Sequence, residues 1–349
     1  MTPLEALNRV VYLMDRSLAE PNKVNAFRNA AKVVAGLPPA ELADRAAAGT
    51  LTELAGIGAS TGAVIAEALA GQVPERIVLL EATTEVPLSE AGRPYREALR
   101  GDCHSHSYWS DGSASIEEMA RTAIELGHDY LVLTDHSPRL TVAHGLNAER
   151  LREQLNEIDF LNVRLAPFRV LTGIEVDILD DGSLDQDAEL LARLDIVVAS
   201  THSKLRMDRP AMTRRMVLAV ANPHVDILGH CTGRKLRSTV TQVASDPEVL
   251  RPESQFDPEL VFAACARFDT AVEINCRPER QDPPDPLLRL ALEWNCKVAI
   301  DTDAHAPGQL EWQRFGCDKA ARHEIRMADI VNTWTADELT EWAASHSTG

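Results

Sequence analysis

The sequence of 349 residues lacks several features that would assign it to a common class of protein. No apolar run approaches the roughly 20 residues that span a membrane, and the first residues lack the basic and apolar segments of a secretory signal. The six cysteines are scattered and form no CxxC pair, which excludes a disulfide framework and a zinc finger. We therefore expect a cytoplasmic protein whose cysteines are reduced packing residues.

Positive charge is also scarce, since 35 Lys and Arg face 53 Asp and Glu for a formal net charge of −18. Such a surface opposes broad binding to nucleic acid or to an anionic membrane, because both require a basic face. Residues 1–100 hold 10 basic and 12 acidic side chains, and the other 25 basic and 41 acidic ones lie in residues 101–349. Any phosphate ligand must therefore be bound by positive charge close to its own site.

The pattern of apolar residues divides the chain into three parts. Residues 1–81 carry apolar side chains at helical spacing and predict a small all-α domain. Residues 82–100 lose that spacing, contain two prolines and predict a linker. In residues 101–340, β-rich runs alternate with amphipathic stretches, which predicts six or seven parallel βα units closed into a barrel. The predicted strands contain YLVLTDH, RVLTGIEVDI, DIVVASTH, DILGH, AVEINC and KVAIDTDAH.

Histidines and carboxylates recur at the ends of these strands, which converge on one mouth of a barrel. His104 and His106 stand two residues apart, so both imidazoles project from one face of an extended strand and can hold one cation. Asp303 and His305 repeat this spacing near the end of the barrel. The remaining donors follow other strands and are Asp111, His136, Glu175, His202 and His230.

These nine donors together indicate metal binding. A lone strand-end histidine such as His202 is more often a core residue than a ligand, but nine crowded donors without a metal would be unsatisfied or mutually repelled. Nine ligands exceed one tetrahedral site and suit two or three divalent ions. Imidazole and carboxylate donors without thiolate suit manganese, zinc or iron. Such a cluster performs hydrolysis by lowering the pKa of a bound water and neutralising charge on a phosphoryl or acyl oxygen.

The same motifs resemble, in order, those of the PHP (polymerase and histidinol phosphatase) superfamily. They cover roughly residues 100–335 and are most similar to the PHP domain at the C-terminus of bacterial family X DNA polymerases. The resemblance implies an α/β fold, a distorted (β/α)7 TIM-like barrel, that holds three metals. It also implies phosphoesterase activity, which includes manganese-dependent 3′ to 5′ exonuclease action in the polymerase-linked members. The matching segments are GDCHSHSYWSDG, YLVLTDHS, LTGIEVDILDDGSLD, VVASTHS, NPHVDILGHCTGR, AVEINCRPERQD and IDTDAH.

The resemblance further implies how the donors are shared among three metals. The attack on phosphorus is expected next to Glu175. One metal takes His104, His106, Glu175 and Asp303, a second shares Glu175 and adds His202 and His230, and a third takes Asp111, His136 and His305.

Basic residues near the motifs can offset the charge of a bound phosphate. Lys204 follows the His202 motif, and Arg234 closes the segment GHCTGR. Together with Glu175 and Asp303, they form the predicted catalytic set. Arg277 and Arg280 are further candidates for this role, and Asp135 and Asp177 are expected to orient the ligands.

The segment LTELAGIGASTGAVIAEALAG predicts a helix, a tight turn and a second helix. Gly56, Gly58 and Ser60 lie at this turn, whose backbone N–H groups can grip a DNA phosphate without reading sequence. Residues 4–81 are similar to the N-terminal helical domain of family X polymerases, which implies a helix-hairpin-helix. That family carries a polymerase palm where only a linker stands here, so we expect no polymerase activity. The turn lacks basic residues, and both DNA binding and a structural or docking role stay open.

Several hypotheses of function therefore stand side by side. The leading one is a metal-dependent phosphoesterase that acts on DNA ends or single-stranded DNA. A second is a phosphatase for a small phosphomonoester such as histidinol phosphate or a nucleotide. An amidohydrolase is weakened because Asp111 and His305 are ligands that its reaction does not require. A DNA-end-binding protein with an inactive barrel is opposed by the intact set of nine donors.

Overall fold

The computed structural model describes residues 1–238, 240 and 247–346, and its contacts divide the chain into two compact units. The first unit contains residues 1–86, and the second contains residues 87–238 and 247–346. Among these residues, none of the helices is both long and apolar enough to cross a membrane.

The first unit is helical, as the sequence predicts. Its helices are α1 (Pro3–Arg16), α2 (Pro21–Ala35), α3 (Pro39–Ala48), α4 (Ala59–Leu69) and α5 (Glu75–Thr83). Three of them begin with proline, whose missing N–H costs nothing in the first turn. Thr2 and Glu5 form a capping box that starts α1. Leu7, Leu13 and Ile65 are fully buried in the core of this unit.

The predicted hairpin differs from the structure before its turn. Only a single turn of 3₁₀ helix, Leu51–Glu53, precedes the turn where the sequence predicts a full helix. The reason is the pair of glycines that bracket it, because Gly49 (φ +70°) and Gly56 (φ +91°) both adopt left-handed conformations that interrupt a helix. Gly58 then caps α4, and its N–H donates to Thr61 Oγ1 at 2.9 Å.

The second unit contains an α/β barrel. Its strands are β1 (Gly101–Asp102), β2 (Tyr130–Leu133), β3 (Arg169–Asp177), β4 (Ile196–Ser200), β5 (Ile227–Leu228), β6 (Lys235–Leu236), β7 (Val249–Arg251), β8 (Ala271–Asn275) and β9 (Val298–Asp301). Its helices are α6 (Arg93–Ala98), α7 (Ile116–Glu125), α8 (Ala148–Leu165), α9 (Ala188–Leu191), α10 (Arg209–Val220), α11 (Pro258–Phe268), α12 (Asp285–Glu293), α13 (Gln313–Arg322) and α14 (Ala336–His346).

Seven of the strands form one parallel sheet in the order β1-β2-β3-β4-β5-β8-β9. Strands β2, β4, β8 and β9 consist of buried residues, as expected for strands covered on both faces. Beyond β1 and β9, Ser105 and Ala304 form a parallel bridge, and His106 N donates to Ala304 O at 2.8 Å. The sheet thus returns on itself, which confirms the predicted barrel. Strands β6 and β7 form a separate antiparallel pair.

The segment 82–100, which the sequence predicts to be a linker, contains helix α6. Two contacts join it to the second unit: the Ser89 hydroxyl donates to Asp318 Oδ1 at 2.6 Å, and the Tyr95 hydroxyl donates to Ile325 O at 2.9 Å. Residues from 87 onward therefore pack as part of the second unit.

Side chains join β1 to β9 at the level of Gly101 and Ile300. The buried Asn332 amide donates to Gly101 O at 3.3 Å and to Ile300 O at 3.1 Å, and it accepts from Ile300 N at 2.6 Å. The buried Gln313 amide donates to the same two carbonyl oxygens at 3.0 Å each. Asn332 and Gln313, the seam amides, thus satisfy backbone groups that would otherwise be buried without partners.

We expect Asn332→Ala to destabilise the barrel by about 2–3 kcal/mol, because it removes both donor and acceptor from buried backbone groups. All five tryptophans lie beyond residue 100, so urea unfolding followed by tryptophan fluorescence reports on the barrel unit alone. Asn156→Ala is the matched control, since Asn156 is exposed on α8. Equal unfolding midpoints for the two variants would contradict the role of the seam.

Candidate metal centre

The predicted donors lie at the carboxyl ends of the barrel strands. Glu175 belongs to β3 itself, whose last residues are fully buried. The other donors follow the strands within a few residues: His104, His106 and Asp111 after β1, His136 after β2, His202 after β4, His230 after β5, and Asp303 and His305 after β9. Parallel strands in a closed barrel point these positions to one mouth.

Glu175 lies at the centre of the histidines, and its side chain is inaccessible to solvent. Its Oε2 lies 2.8 Å from His136 Nδ1 and 3.4 Å from His104 Nε2. Its Oε1 lies 2.8 Å from His230 Nε2 and 3.2 Å from His202 Nε2. One carboxylate thus faces four imidazoles from four different strand ends.

Two further carboxylates complete the cluster on the side of β9. Asp303 Oδ1 lies 3.4 Å from His106 Nε2 and 3.5 Å from His305 Nδ1. Asp111 Oδ1 lies 3.3 Å from His305 Nε2 and 3.5 Å from His136 Nε2. The structure therefore brings all nine predicted donors together.

The donors fit metal ions because several of their polar atoms are buried without another use. Both ring nitrogens of His106, Nε2 of His104 and Oε2 of Glu175 have no hydrogen-bond partner in the described part of the chain. Such atoms are costly unless they bind a cation or water. Three sets offer one atom each within 4.8 Å of one another: His106, Asp111, His136 and His305; His104, His106 and Glu175; and His136, Glu175 and His202.

Buried carboxylates behind the cluster orient its imidazoles. Glu273 Oε1 lies 2.5 Å from His104 Nδ1, which leaves Nε2 to face Glu175, and its Oε2 accepts from His230 N. Asp177 Oδ1 accepts from His202 N at 3.1 Å and lies 3.5 Å from His202 Nδ1. A hydrogen bond to the outer ring nitrogen sets the tautomer that ligates a metal through the other. Sequence reasoning missed Glu273, although a lone acid within the apolar run AVEINC was a signal.

Asp135 holds the loop that presents Asp111. Its carboxylate accepts from Ser107 N at 2.8 Å, from the Ser110 hydroxyl at 2.5 Å and from Gln154 Nε2 at 2.6 Å. Asp135 is buried and is engaged by these donors. It therefore acts on the site through the loop.

Charges in the cluster favour ionised carboxylates. Burial raises the pKa of Glu175, but the surrounding imidazoles, His202 first, outweigh burial and hold the pKa well below its usual range. Burial and the neighbouring imidazoles hold the pKa of His106 well below its usual range. Burial also lowers the pKa of His104, but Glu273 and Glu175 outweigh it and hold the pKa well above its usual range. Metal ligation requires ionised carboxylates and neutral imidazoles, so binding at His104 is coupled to proton release.

A cavity of about 230 Å³ opens over the cluster. Arg277 and Arg280 form part of its wall beside Asp303: Arg280 Nε lies 3.1 Å from Asp303 Oδ2, and an Arg277 guanidinium nitrogen donates to His305 Nδ1 at 2.9 Å. The lining residues are Asp111, His136, Leu140, His202, Lys235, Arg251, Arg277, Glu279, Arg280, Asp303 and His305.

Two residues of the predicted catalytic set lie apart from this wall. Lys204 is exposed and its ammonium pairs with Asp180. Arg234 donates through Nε to Arg280 O at 2.9 Å and also to Gln281 O, so its guanidinium is occupied by backbone oxygens. Neither residue lines the cavity. Proximity along the chain to a ligand motif does not place a side chain at the mouth, because these loops fold back on themselves.

Comparisons with known proteins agree with this arrangement. The PHP domain family matches residues 102–237. The DNA polymerase/3′-5′ exonuclease PolX of Bacillus subtilis is 38% identical over 234 residues, which are 67% of this chain and 39% of that protein. A probable phosphatase of Thermoanaerobacter sp. is 29% identical over 219 residues, which are 58% of this chain and 78% of that protein.

A solved structure that matches part of the chain is that of histidinol phosphate phosphatase from Lactococcus lactis, complexed with zinc, L-histidinol and phosphate. It has a TM-score of 0.43 and 18% identity, and the match covers 64% of this chain and 93% of that one. The ordered strand-end motifs, the PHP match and the identity to the Bacillus subtilis protein lead to one conclusion. The chain contains a domain of the PHP family.

Proposed function

We propose that this barrel hydrolyses phosphate esters at a centre of three divalent metals and acts on the 3′ ends of DNA or on single-stranded DNA. The observation that carries the proposal is the position of Glu175, a buried carboxylate faced by imidazoles from four strand ends. Two of the donor sets contain Glu175, whose carboxylate would be able to contact two adjacent metals. The nine predicted donors would hold the metals, which are manganese, zinc or iron by the chemistry of their ligands.

The chain's own residues prepare the site for a phosphoryl group. When bound, the metals supply Lewis acidity and a water of lowered pKa. Glu273 and Asp177 hold the imidazoles in place, so the site needs little rearrangement during the reaction. Arg277 and Arg280 stand at the cavity wall, where their positive charge stabilises the negative charge that develops on phosphoryl oxygens.

The size of the cavity favours a terminal group as substrate. A space of about 230 Å³ is large enough for the terminal group of a chain. The related Bacillus subtilis protein is named as a 3′-5′ exonuclease. In the helical unit, the backbone N–H groups near Gly56 and Ser60 would offer a place for a DNA phosphate at the start of α4, whereas the N–H of Gly58 already donates to Thr61 Oγ1. These features support a DNA end as the substrate.

A small phosphomonoester is the second candidate. The same compact cavity suits it, and relatives named as probable phosphatases match over most of their own length. In this alternative the helical unit has a structural role.

The two candidates differ in which product appears. We expect manganese-loaded protein to release nucleotides from a 5′-labelled single strand faster than it releases phosphate from p-nitrophenyl phosphate. His104→Ala should lower either activity by at least a thousandfold, because it removes a ligand buried at the centre. His224→Ala, a histidine away from the cluster, serves as the control. Activity on the monoester alone would exclude the exonuclease, and equal rates in wild type and His104→Ala would exclude the metal site.

Metal content tests the sharing of donors. We expect three manganese ions per chain in the wild type, two in Asp111→Asn, and at most one in Glu175→Gln, because Glu175 lies between sets while Asp111 belongs to one. Elemental analysis after gel filtration measures the stoichiometry. Asp180→Asn, an exposed carboxylate outside the cluster, should keep the wild-type content. The same stoichiometry in Asp111→Asn and Glu175→Gln would contradict this assignment.

The residues that line the cavity predict which basic side chain acts on the phosphate. We expect Arg280→Gln to lower kcat by about a hundredfold, as loss of a preorganised charge near the reacting group does. Lys204→Gln should change kcat by less than threefold, because its ammonium is exposed and paired with Asp180. Steady-state kinetics on the better substrate measure both. A larger loss in Lys204→Gln than in Arg280→Gln would restore the assignment predicted from sequence.

A further inference from the structure

We infer that Lys235 and Arg251 form a second anion-binding subsite in the cavity, which receives an anionic group of the substrate other than the phosphate under attack. The inference rests on the proposed function, since it narrows the substrate class of the same site. The substrates would be phosphate esters that carry a second phosphate or a similar anion nearby. The next phosphodiester of a nucleic-acid end and the second phosphate of a small bisphosphate share this chemistry.

The first observation concerns how the cations of the cavity are paired. Four basic side chains line it, and two of them have carboxylate partners: Arg277 Nε lies 3.2 Å from Glu279 Oε2, and Arg280 Nε lies 3.1 Å from Asp303 Oδ2. Within the described ranges, neither of the other two makes an ion pair, and Arg251 Nε donates only to Gly233 O. Lys235 and Arg251 are therefore positive charges in excess at the wall.

The second observation is their register. Strands β6 and β7 are antiparallel, and Lys235 stands directly opposite Arg251. Like charges in this position destabilise a strand pair. Arg280 adds a third positive charge, because burial and the charge of Arg280 together lower the pKa of Arg251. Asp282 acts on the pKa of Arg251 in the opposite direction, and Glu279, an acid of the same cavity, pairs with Arg277. The remaining positive charge is stabilised when an anion binds between Lys235 and Arg251.

The third observation is where Lys235 and Arg251 lie in the fold. Lys235 and Arg251 come from a two-stranded sheet that lies outside the seven-stranded barrel, whereas the nine donors follow barrel strands. Under the proposed function, the metals, Arg277 and Arg280 would compensate the charge of the phosphate under attack. The cations of β6 and β7 therefore serve a different group on the same substrate. In a domain with a large acidic excess, such a local basic wall also steers an anion to the mouth.

Binding of two inert probes to the full-length, manganese-loaded protein tests this subsite. Propylphosphonate carries one anionic group and propane-1,3-diylbisphosphonate carries two, and neither is hydrolysed. We expect calorimetry to give at least tenfold tighter binding of the bisphosphonate to the wild type. In Lys235→Gln/Arg251→Gln this ratio should fall below threefold, with a much smaller change in the Kd of propylphosphonate. Raising the salt concentration should reduce the wild-type ratio, since Lys235 is exposed.

The matched control is Arg237→Gln. Arg237 directly follows β6. Its guanidinium pairs with Glu248 at 2.6 Å, and its side chain does not line the cavity. This variant should keep the wild-type ratio, and because every protein meets the same probe solutions, chelation of free manganese cancels. Tryptophan fluorescence checks the fold of the double variant, and Lys235→Gln alone, an exposed substitution, should lower the ratio by about threefold.

The outcomes separate this inference from the proposed function. A wild type without preference for the bisphosphonate, or a preference that survives in Lys235→Gln/Arg251→Gln, would overturn the second subsite. Neither result touches hydrolysis, which is tested by His104→Ala. Conversely, a protein that hydrolyses no phosphate ester yet loses the preference in the double variant would keep the anion subsite and overturn the proposed function.

Discussion

The burial of an ionised carboxylate at Glu175 is the constraint around which the barrel is arranged. A negative charge without solvent is costly, and here it is compensated by imidazoles that arrive from separate strand ends. This requires several strands to end at the same level and to point the same way, which a parallel barrel provides. The barrel fold and the donor cluster therefore both serve to compensate the buried charge of Glu175.

Support for the imidazoles comes from a further layer of buried acids, and this layer explains how a crowded polar site can be rigid. Glu273, Asp177 and Asp135 each accept hydrogen bonds from backbone or side-chain donors near the mouth. Glu273 contacts two of the donors, His104 and His230, while Asp177 contacts His202 and Asp135 holds the loop of Asp111. Metal chemistry depends on such positioning, because small displacements of ligands change both affinity and the acidity of bound water.

Much of this was predictable from sequence. Six of the seven barrel strands, and the meeting of nine candidate donors at one mouth, follow from alternation and from motifs at strand ends, because both are local signals. Asn332 and the pair formed by Lys235 and Arg251 were not, because their roles depend on partners far along the chain or on cross-strand register. Lys204 shows the opposite failure, since closeness to a ligand motif in sequence does not imply closeness to the cavity. The sequence predicts a helix before Gly56 because the sign of a glycine's φ angle cannot be inferred from the residue type alone.

The seam amides have a consequence for the metals as well as for stability. Strand β1 leads to His104 and His106, strand β9 leads to Asp303 and His305, and these two strands meet where Asn332 and Gln313 complete the barrel. Donors that we propose to share one metal are thus carried by the two strands that close the barrel. Closure of the sheet and binding of cations would then be coupled, so that each makes the other more favourable. Asn332 and Gln313 do not line the cavity, so substitutions at the seam would adjust affinity for metal without altering the cavity wall.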